Sequence, residues 1–420
     1  MKLLLCLISD QHVPNLLSVH AVKPNLLLLV VSEKMKKDGV ASNFLNALDL
    51  SDSYKNSALK HDIVDLKEEN SIIATMNVLK TEFSKYPEAE WFVNITGGTK
   101  PMSIGAYEFF KDKDAHMLYI PIVSQSKAID FSNGQSLELT YQLPIREFLA
   151  GYGFDFIKEE NKVLEGETRA KKLFEFSIYL SEHYEFAHKM MKTLDLMIQE
   201  VYGGEKDKAR NKARKKGIYL SNFGVQDQRL IDYLAYNFKL DDDGVSLSGK
   251  LSPHAVQFLT GNWLEVFVWG ILSKYSEKLN IWDVRLGLLP GKKVDEETQK
   301  KEIKNDWDIA FMYGQALRFV ECKTGDQEHD PSGNETLYKI EAIKKQLGAL
   351  NVKSYLATTA PNILEGDKIR DPIVTRAKLY NCTIIPGSDI RDLAELERKK
   401  DPSIVQRISK EFFPKQEAHS

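Results

Sequence analysis

Cysteine is scarce in this chain. Three occur among 420 residues, Cys6, Cys322 and Cys382. That odd number, without the paired spacing of a zinc site, excludes a disulfide framework and points to a reducing compartment. Long apolar runs are lacking as well: none reaches the roughly 18–20 residues that a membrane helix requires. The apolar start MKLLLCLISDQHVP has no small-residue cleavage site, so it reads as a first β-strand rather than a signal peptide. A cytoplasmic protein without membrane contact is expected. Charge of one sign is also missing. Lys and Arg number 57 against 60 Asp and Glu, a net charge of -3, so any grip on a polyanion must come from local patches or metal. The nine histidines show no H-E-x-x-H or paired spacing, and no G-x-S-x-G elbow occurs, which removes the commonest zinc and serine hydrolases. Neither the G-x-x-x-x-G-K-[ST] phosphate loop nor the G-x-G-x-x-G fingerprint is present, which argues against ATP and NAD.

What is present is ordinary folded-protein material, 43% hydrophobic and 28% charged, in a chain too long for one core. Two domains with a helical module between them are expected: residues 1–150, 151–250 and 251–420. In the first, the runs LLLCLIS, NLLLLVVS, DIVDL, WFVNIT and HMLYIPIV alternate with helical segments such as 71–86, the pattern of a parallel, Rossmann-like α/β sheet. Asn133-Gly134, between AIDF and SLELTYQL, suits a two-residue hairpin turn and an added antiparallel ribbon. Ligands of such sheets bind beyond the carboxyl ends of the strands. That rule selects the loops Ser9-Asp10-Gln11-His12 and Thr96-Gly97-Gly98-Thr99-Lys100. In the second loop, Thr99 or Lys100 caps a helix whose first turn suits Pro101. Its glycines admit close approach of backbone amides, and a lysine beside a helix N-terminus favours an anion. A phosphate ligand fits; a plain tight strand-to-helix turn is the competing reading.

Residues 160–250 read as largely helical and polar, with a basic stretch at Lys206, Lys208, Arg210, Lys212, Arg214, Lys215 and Lys216. It suits a phosphate backbone, yet with Glu205 and Asp207 nearby the same spacing describes a solvated helix. Residues 226–238 followed by Asp241-Asp242-Asp243-Gly244 read as a helix and a wing. With no clear recognition helix before them, a connector rather than a DNA reader is expected.

The chemistry gathers in NDWDIAFMYGQALRFVECKTG, from Asn305 onward. Residues 308–313 and 316–323 alternate as strands, and Gly314-Gln315 suits a two-residue turn with glycine first. A hairpin that pairs Tyr313 with Ala316 sets Asp308 opposite Glu321, with Lys323 on the same face. Facing carboxylates repel unless compensated, and a divalent cation is the obvious compensation; a bare ion-pair cluster is the rival. With magnesium or manganese on the carboxylates and the lysine to orient water or neutralise charge, the constellation suits phosphodiester cleavage.

The spacing D-x12-E-x-K resembles the PD-(D/E)XK nuclease superfamily, with Trp307-Asp308 in place of Pro-Asp. That likeness implies that Glu265, in Gly261-Asn262-Trp263-Leu264-Glu265, assists metal binding, and that TLYKIEAIKKQLGAL is the helix after the E-x-K strand. The catalytic set expected is Asp308, Glu321, Lys323 and Glu265, and the metal set is Asp308, Glu321, Glu265 and Cys322. Asp306 and Gln346 are further polar candidates. The run Asn94-Ile95-Thr96-Gly97-Gly98-Thr99-Lys100-Pro101-Met102, with the loop Ser9 to His12, resembles the CARF sensor domain, the CRISPR-associated Rossmann fold. It implies a cyclic oligoadenylate held by Ser9, Asp10, Gln11, His12, Asn94, Thr96, Gly97, Gly98, Thr99, Lys100 and Met102 across a dimer axis. The whole order, CARF-like sensor, helical connector and restriction-endonuclease-like α/β domain, resembles the ancillary nucleases of type III CRISPR systems. That resemblance implies a homodimer, cyclic tetra-adenylate as activator, magnesium or manganese, and single-stranded RNA or DNA as substrate. Two other classes stay open, a messenger-responsive transcription regulator and a messenger-independent restriction or repair nuclease.

Overall fold

Strands with no polar face settle in the middle of a sheet covered on both sides. The two leucine-rich runs near the N-terminus have none: Lys2–Leu7 (β1) is buried after its first residue and Leu26–Ser32 (β2) throughout. In the computed structural model, which describes residues 1–55, 59–121, 126–156, 160–225, 227–293, 301–303, 306–325, 334–347, 352–365 and 368–413, these two strands lie at the heart of a seven-stranded sheet. Its other members are Lys60–Leu66 (β3), Glu90–Asn94 (β4), Ala115–Tyr119 (β5), Lys127–Asp130 (β6) and Ser136–Glu138 (β7), in the order β3-β2-β1-β4-β5-β6-β7. The first five are parallel and the last two antiparallel. This is the Rossmann-like sheet expected. The chain turns from β2 and β3 on one side of β1 to β4 on the other, so the ligand crevice of such a sheet falls at the ends of β1 and β4. The expected two-residue turn at Asn133-Gly134 is instead a four-residue loop, closed by the Asp130 N–H on the Gln135 carbonyl. The Asp130 carboxylate causes this, taking the Ser132 N–H and hydroxyl and the Asn133 amide into one knot.

The middle of the chain is helical as expected, with Glu160–Glu182, Tyr184–Tyr202 and Lys206–Lys216 leading to a small sheet. There Gln228–Phe238 is followed by the hairpin Asp241–Asp242 and Leu247–Leu251, which pairs with Ile218–Phe223. The arrangement is a helix and wing. Three aspartates at the wing give its tip the wrong charge for a phosphate backbone.

The C-terminal sheet runs Ile281–Leu288, Trp307–Tyr313, Ala316–Lys323, Val352–Thr358, Cys382–Pro386. The first three strands are antiparallel and the last two join in parallel. Its two faces belong to different cores. Ile309, Phe311 and Val320 pack with Phe176, Leu194 and Leu234 of the connector and with Phe267 of the helix Trp263–Lys274. Ala310, Met312 and Phe319 pack with Leu337 and Ile340 and, in the same contiguous cluster, with Leu4, Leu16 and Phe148 of the N-terminal sheet. Each neighbour therefore covers one face of the C-terminal sheet. The stretch Pro253–Lys274 is long and apolar enough to cross a membrane, but 78% of its apolar window is buried, which is the burial of a core helix.

Candidate metal centre and sensor loops

The hairpin has the expected register. Tyr313 faces Ala316, and the ladder runs through Met312 and Leu317, Phe311 and Arg318, and Ala310 and Phe319 to Ile309 and Val320. One step further, Asp308 stands opposite Glu321, and there a side chain enters the ladder: Asp308 Oδ2 accepts the Cys322 N–H at 2.7 Å. Both turn residues have positive φ, Gly314 at 55° and Gln315 at 61°, the mark of a type I′ turn. Gln315 tolerates this because its side chain is anchored. Its Oε1 accepts the Leu143 N–H at 3.1 Å and its Nε2 donates to the Tyr141 carbonyl, which ties the hairpin tip to the end of the N-terminal domain.

Glu321 is buried and accepts from Lys323 Nζ at 2.6 Å and from Lys339 Nζ, on the helix Asn334–Gln346, at 3.3 Å. Glu265 arrives from the opposite side through a kink. Residues 258–262 form a wide turn in which Thr260 and Gly261 leave helical geometry, Gly261 with φ 147°. A Cβ at Gly261 would stand 3.0 Å from Thr324 Oγ1, just past the Glu321 strand, so glycine lets the helix start approach the hairpin. Arg214 holds the kink, donating from Nε to Thr260 Oγ1 at 2.9 Å and from Nη2 to the Thr260 carbonyl at 3.0 Å. The helix Trp263–Lys274 then begins with Glu265 in its first turn, where a negative charge is favoured, and Asn262 Nδ2 donates to Glu265 Oε2 at 3.1 Å.

Arg214 was hidden in the basic stretch, and most of that stretch is likewise engaged in bracing. Arg210 pairs with buried Asp195, as does Lys206 at 3.8 Å, and Lys208 meets Glu205. Nothing in the pattern of positive charges marked Arg214 apart from its neighbours.

The carboxylates feel one another. Burial, then the charges of Asp306 and Glu321, push Glu265 from 4.5 up to about 7. Burial, then Glu265 and Glu321, push Asp308 well above the usual carboxylate range. For Lys323, burial opposes the charge, but Glu321 and Asp308 outweigh it and hold the ammonium firmly protonated. An all-oxygen set that resists ionisation until a cation compensates it fits magnesium or manganese. Among the described residues no three His, Cys, Asp or Glu side chains stand together so as to hold a metal ion, and Glu321 is bonded to two lysines. Cys322 enters the site by its main chain. Its thiol lies on the opposite face with Val320 and is held protonated by burial and the nearby carboxylates, so it offers no thiolate ligand. Asp306 acts at a distance, through the field on Glu265. The side chain of Gln346 lies outside the described residues.

In the N-terminal domain the two selected loops lie side by side because β1 and β4 are neighbours. Asn94 is buried and structural: its amide donates to Asn15 Oδ1 at 2.8 Å and its carbonyl oxygen accepts the Thr96 N–H. A Cβ at Gly97 would stand 2.2 Å from the Leu7 carbonyl, so only glycine lets the loops pass. Thr99 caps the helix Lys100–Phe110 by accepting the Met102 N–H, and Met102 is buried beneath it. Ser9 Oγ accepts the Gln11 N–H. Ser9, Asp10, Gln11, Thr96, Gly98, Thr99 and Lys100 are accessible, fully or in part. His12 is not: it is buried edge-on to Tyr152, at 5.1 Å between ring centres, and burial pulls its pKa to about 4. A neutral His12 cannot serve as a phosphate-binding cation. It packs instead on Gly151, where a Cβ would stand 3.1 Å away.

Comparison with known proteins follows this division. Residues 3–148 match the family described as the Card1 CARF domain, and residues 252–401 the family described as the Card1-like endonuclease domain. Among solved structures the fold is similar to that of Can2 from Sulfobacillus thermosulfidooxidans in complex with cyclic tetra-adenylate, with TM-score 0.67 and 19% identity, covering 95% of this chain and 99% of that one. It is also similar to protein VC1899 from Vibrio cholerae, with TM-score 0.73 and 15% identity, covering 96% and 98%. No curated protein matches. The two family matches together take in more than half of the sequence, sensor first and nuclease second, and the chain belongs to the Card1-like CARF-domain endonucleases.

Proposed function

We propose that this protein is a homodimeric, metal-dependent nuclease of type III CRISPR defence, activated by cyclic tetra-adenylate and acting on single-stranded RNA or DNA. The observation that carries the reading is that Glu321, bonded to charged Lys323, and Asp308, bonded to the Cys322 N–H, sit at one end of the hairpin, where Glu265 comes near enough for the carboxylates to raise one another's pKa. A magnesium or manganese ion held by Asp308 and Glu321, with Glu265 assisting, would supply charge neutralisation and an acidified water. Lys323 keeps its proton throughout and is poised to neutralise charge gathering on a phosphate oxygen. Lys339 also donates to Glu321, at 3.3 Å. The choice of messenger is supported by the similar fold of Can2, whose structure contains cyclic tetra-adenylate. A ring of phosphates with two-fold symmetry suits two copies of one amide-rich loop.

A chain of contacts supports switching. His12, in the first loop, packs on Gly151 and Tyr152 at the end of the helix Ile145–Gly151. The start of that helix is held by the nuclease sheet, where Asp283 Oδ2 accepts the Ile145 N–H at 2.7 Å, Trp282 Nε1 donates to the Leu143 carbonyl at 2.9 Å, and Gln315 takes the Leu143 N–H. A shift of His12 therefore bears on the hairpin that carries Asp308 and Glu321. The test is replacement of Glu321 by Gln in protein loaded with manganese and messenger. Cleavage should vanish while calorimetric binding of cyclic tetra-adenylate is retained; undiminished cleavage would remove the site assignment.

A further inference from the structure

A cleft of about 1080 Å³ opens between the helices Glu160–Glu182, Gln228–Phe238 and Pro253–Gln257, and Asn262 and Glu265 line one part of it. It is larger than most small-molecule sites, which span roughly 300–1,000 Å³, and Glu265 is the one residue of the proposed catalytic set in its lining. We infer that this cleft receives a single strand of nucleic acid, with Tyr236 stacking on an unpaired base and the walls holding the backbone that leads to Glu265. The inference rests on the nuclease reading and adds the path of the strand and the side chain that stacks on it.

Three features carry it. The first is charge. Lys162, Arg169 and Lys172 stand at helical spacing along one wall, and Lys239 faces the cleft from another. Apart from Glu265, the only acid in the lining among the described residues is Glu165, 3.8 Å from Arg169. The three wing aspartates are not part of the walls, so the cleft is basic in a protein whose net charge is slightly negative. That is the local patch a polyanion needs.

The second is Tyr236, 85% exposed and in the cleft lining. Among the described residues its ring packs on no other ring. A single exposed aromatic is unremarkable by itself, but beside a basic groove it forms the stacking platform that single-strand binders use. Bases in a duplex are stacked on one another and cannot offer it a face, which is why the cleft selects an unpaired strand.

The third is Gly166, in the interior of the long helix and in the cleft wall. Glycine weakens a helix at such a position, and packing does not demand it: a Cβ there would meet only the Arg169 guanidinium, at 3.9 Å. Its effect is to leave the wall bare and the cleft wide.

The test uses the full-length protein carrying Glu321→Gln to silence cleavage, and fluorescence anisotropy with a short fluorescein-labelled oligothymidine and a duplex of equal length. The single strand should bind more tightly than the duplex. Tyr236→Ala should weaken single-strand binding about tenfold or more, the worth of a stacked base, and Tyr236→Phe should retain it. Arg169→Ala with Lys172→Ala should make the salt dependence shallower by about two counterions. Equal affinity for single strand and duplex, or unchanged binding by Tyr236→Ala, would overturn the proposal. Tyr236 is on the surface, so loss of fold does not account for a defect. Cleavage by the protein with Glu321 intact separates the two claims: if it cuts and Tyr236→Ala leaves KM unchanged, the cleft assignment falls and the nuclease stands. If it never cuts yet binds single strands through Tyr236, the nuclease reading falls and the cleft stands.

Discussion

Replacing Glu265 by Gln should stabilise the metal-free protein while impairing its chemistry. Glu265 is pushed from 4.5 to about 7 by burial and by Asp306 and Glu321, and each tenfold change in proton affinity is worth about 1.4 kcal/mol. Holding this carboxylate ionised in the folded state therefore costs about 3 kcal/mol. The sign follows from proton counting. Between the unfolded value near 4.5 and the folded value near 7, the folded state binds more protons, so stability without metal falls as pH rises through that window. Gln has the same shape, keeps an acceptor for Asn262 Nδ2 and carries no charge to desolvate. In chelator at about pH 8 the variant should exceed the wild type by up to about 3 kcal/mol, roughly 6 °C or more in the melting of a domain this size. At about pH 4.5, where the wild-type carboxyl is protonated, the two should coincide. Manganese should raise the wild type more than the variant, because the variant lacks one anionic ligand. Calorimetric melts at both pH values, with chelator and with manganese, read all of this. A variant no more stable than wild type at the higher pH would refute the account of a strained carboxylate cluster.

Gly97→Ala places a methyl against the Leu7 carbonyl, where the gap is 2.2 Å. It should abolish messenger binding in calorimetry, and normal affinity would contradict the loop packing. His12, neutral with a pKa near 4, should make the N-terminal domain lose about 3 kcal/mol as pH falls from about 6.5 to 4. His12→Phe should flatten that loss in melts followed by near-UV circular dichroism, and an unchanged pH profile would count against a buried neutral ring. Gln315→Ala cuts the hairpin tip from Tyr141 and Leu143. It should leave messenger affinity within a few fold and lower messenger-stimulated cleavage severalfold, whereas full stimulation would show that coupling runs elsewhere.

The hairpin was legible because a strand repeats every two residues: once Tyr313 faces Ala316, the faces of Asp308, Glu321 and Lys323 are fixed. The anchoring of its turn was not, since the partners of Gln315 lie at Tyr141 and Leu143, remote in sequence. The loop after β6 departed from the Asn-Gly rule because one carboxylate, Asp130, gathered three donors. Glu265 was reached only by likeness to known nucleases. The device that presents it depends on Gly261 meeting Thr324 and on Arg214 reaching Thr260, contacts that no local pattern encodes. The basic stretch stayed ambiguous for the same reason, because its counter-charge, Asp195, is buried in another helix. The docking of both neighbours onto one sheet was equally invisible, since Leu16 and Phe148 look like ordinary core residues of their own domain.

A metal centre under sensor control is tested by cleavage of a labelled single strand by purified protein with manganese, with and without cyclic tetra-adenylate, beside Glu321→Gln. Product is expected only from wild type with both manganese and messenger; equal product without messenger, or product from Glu321→Gln, would contradict a messenger-gated metal site.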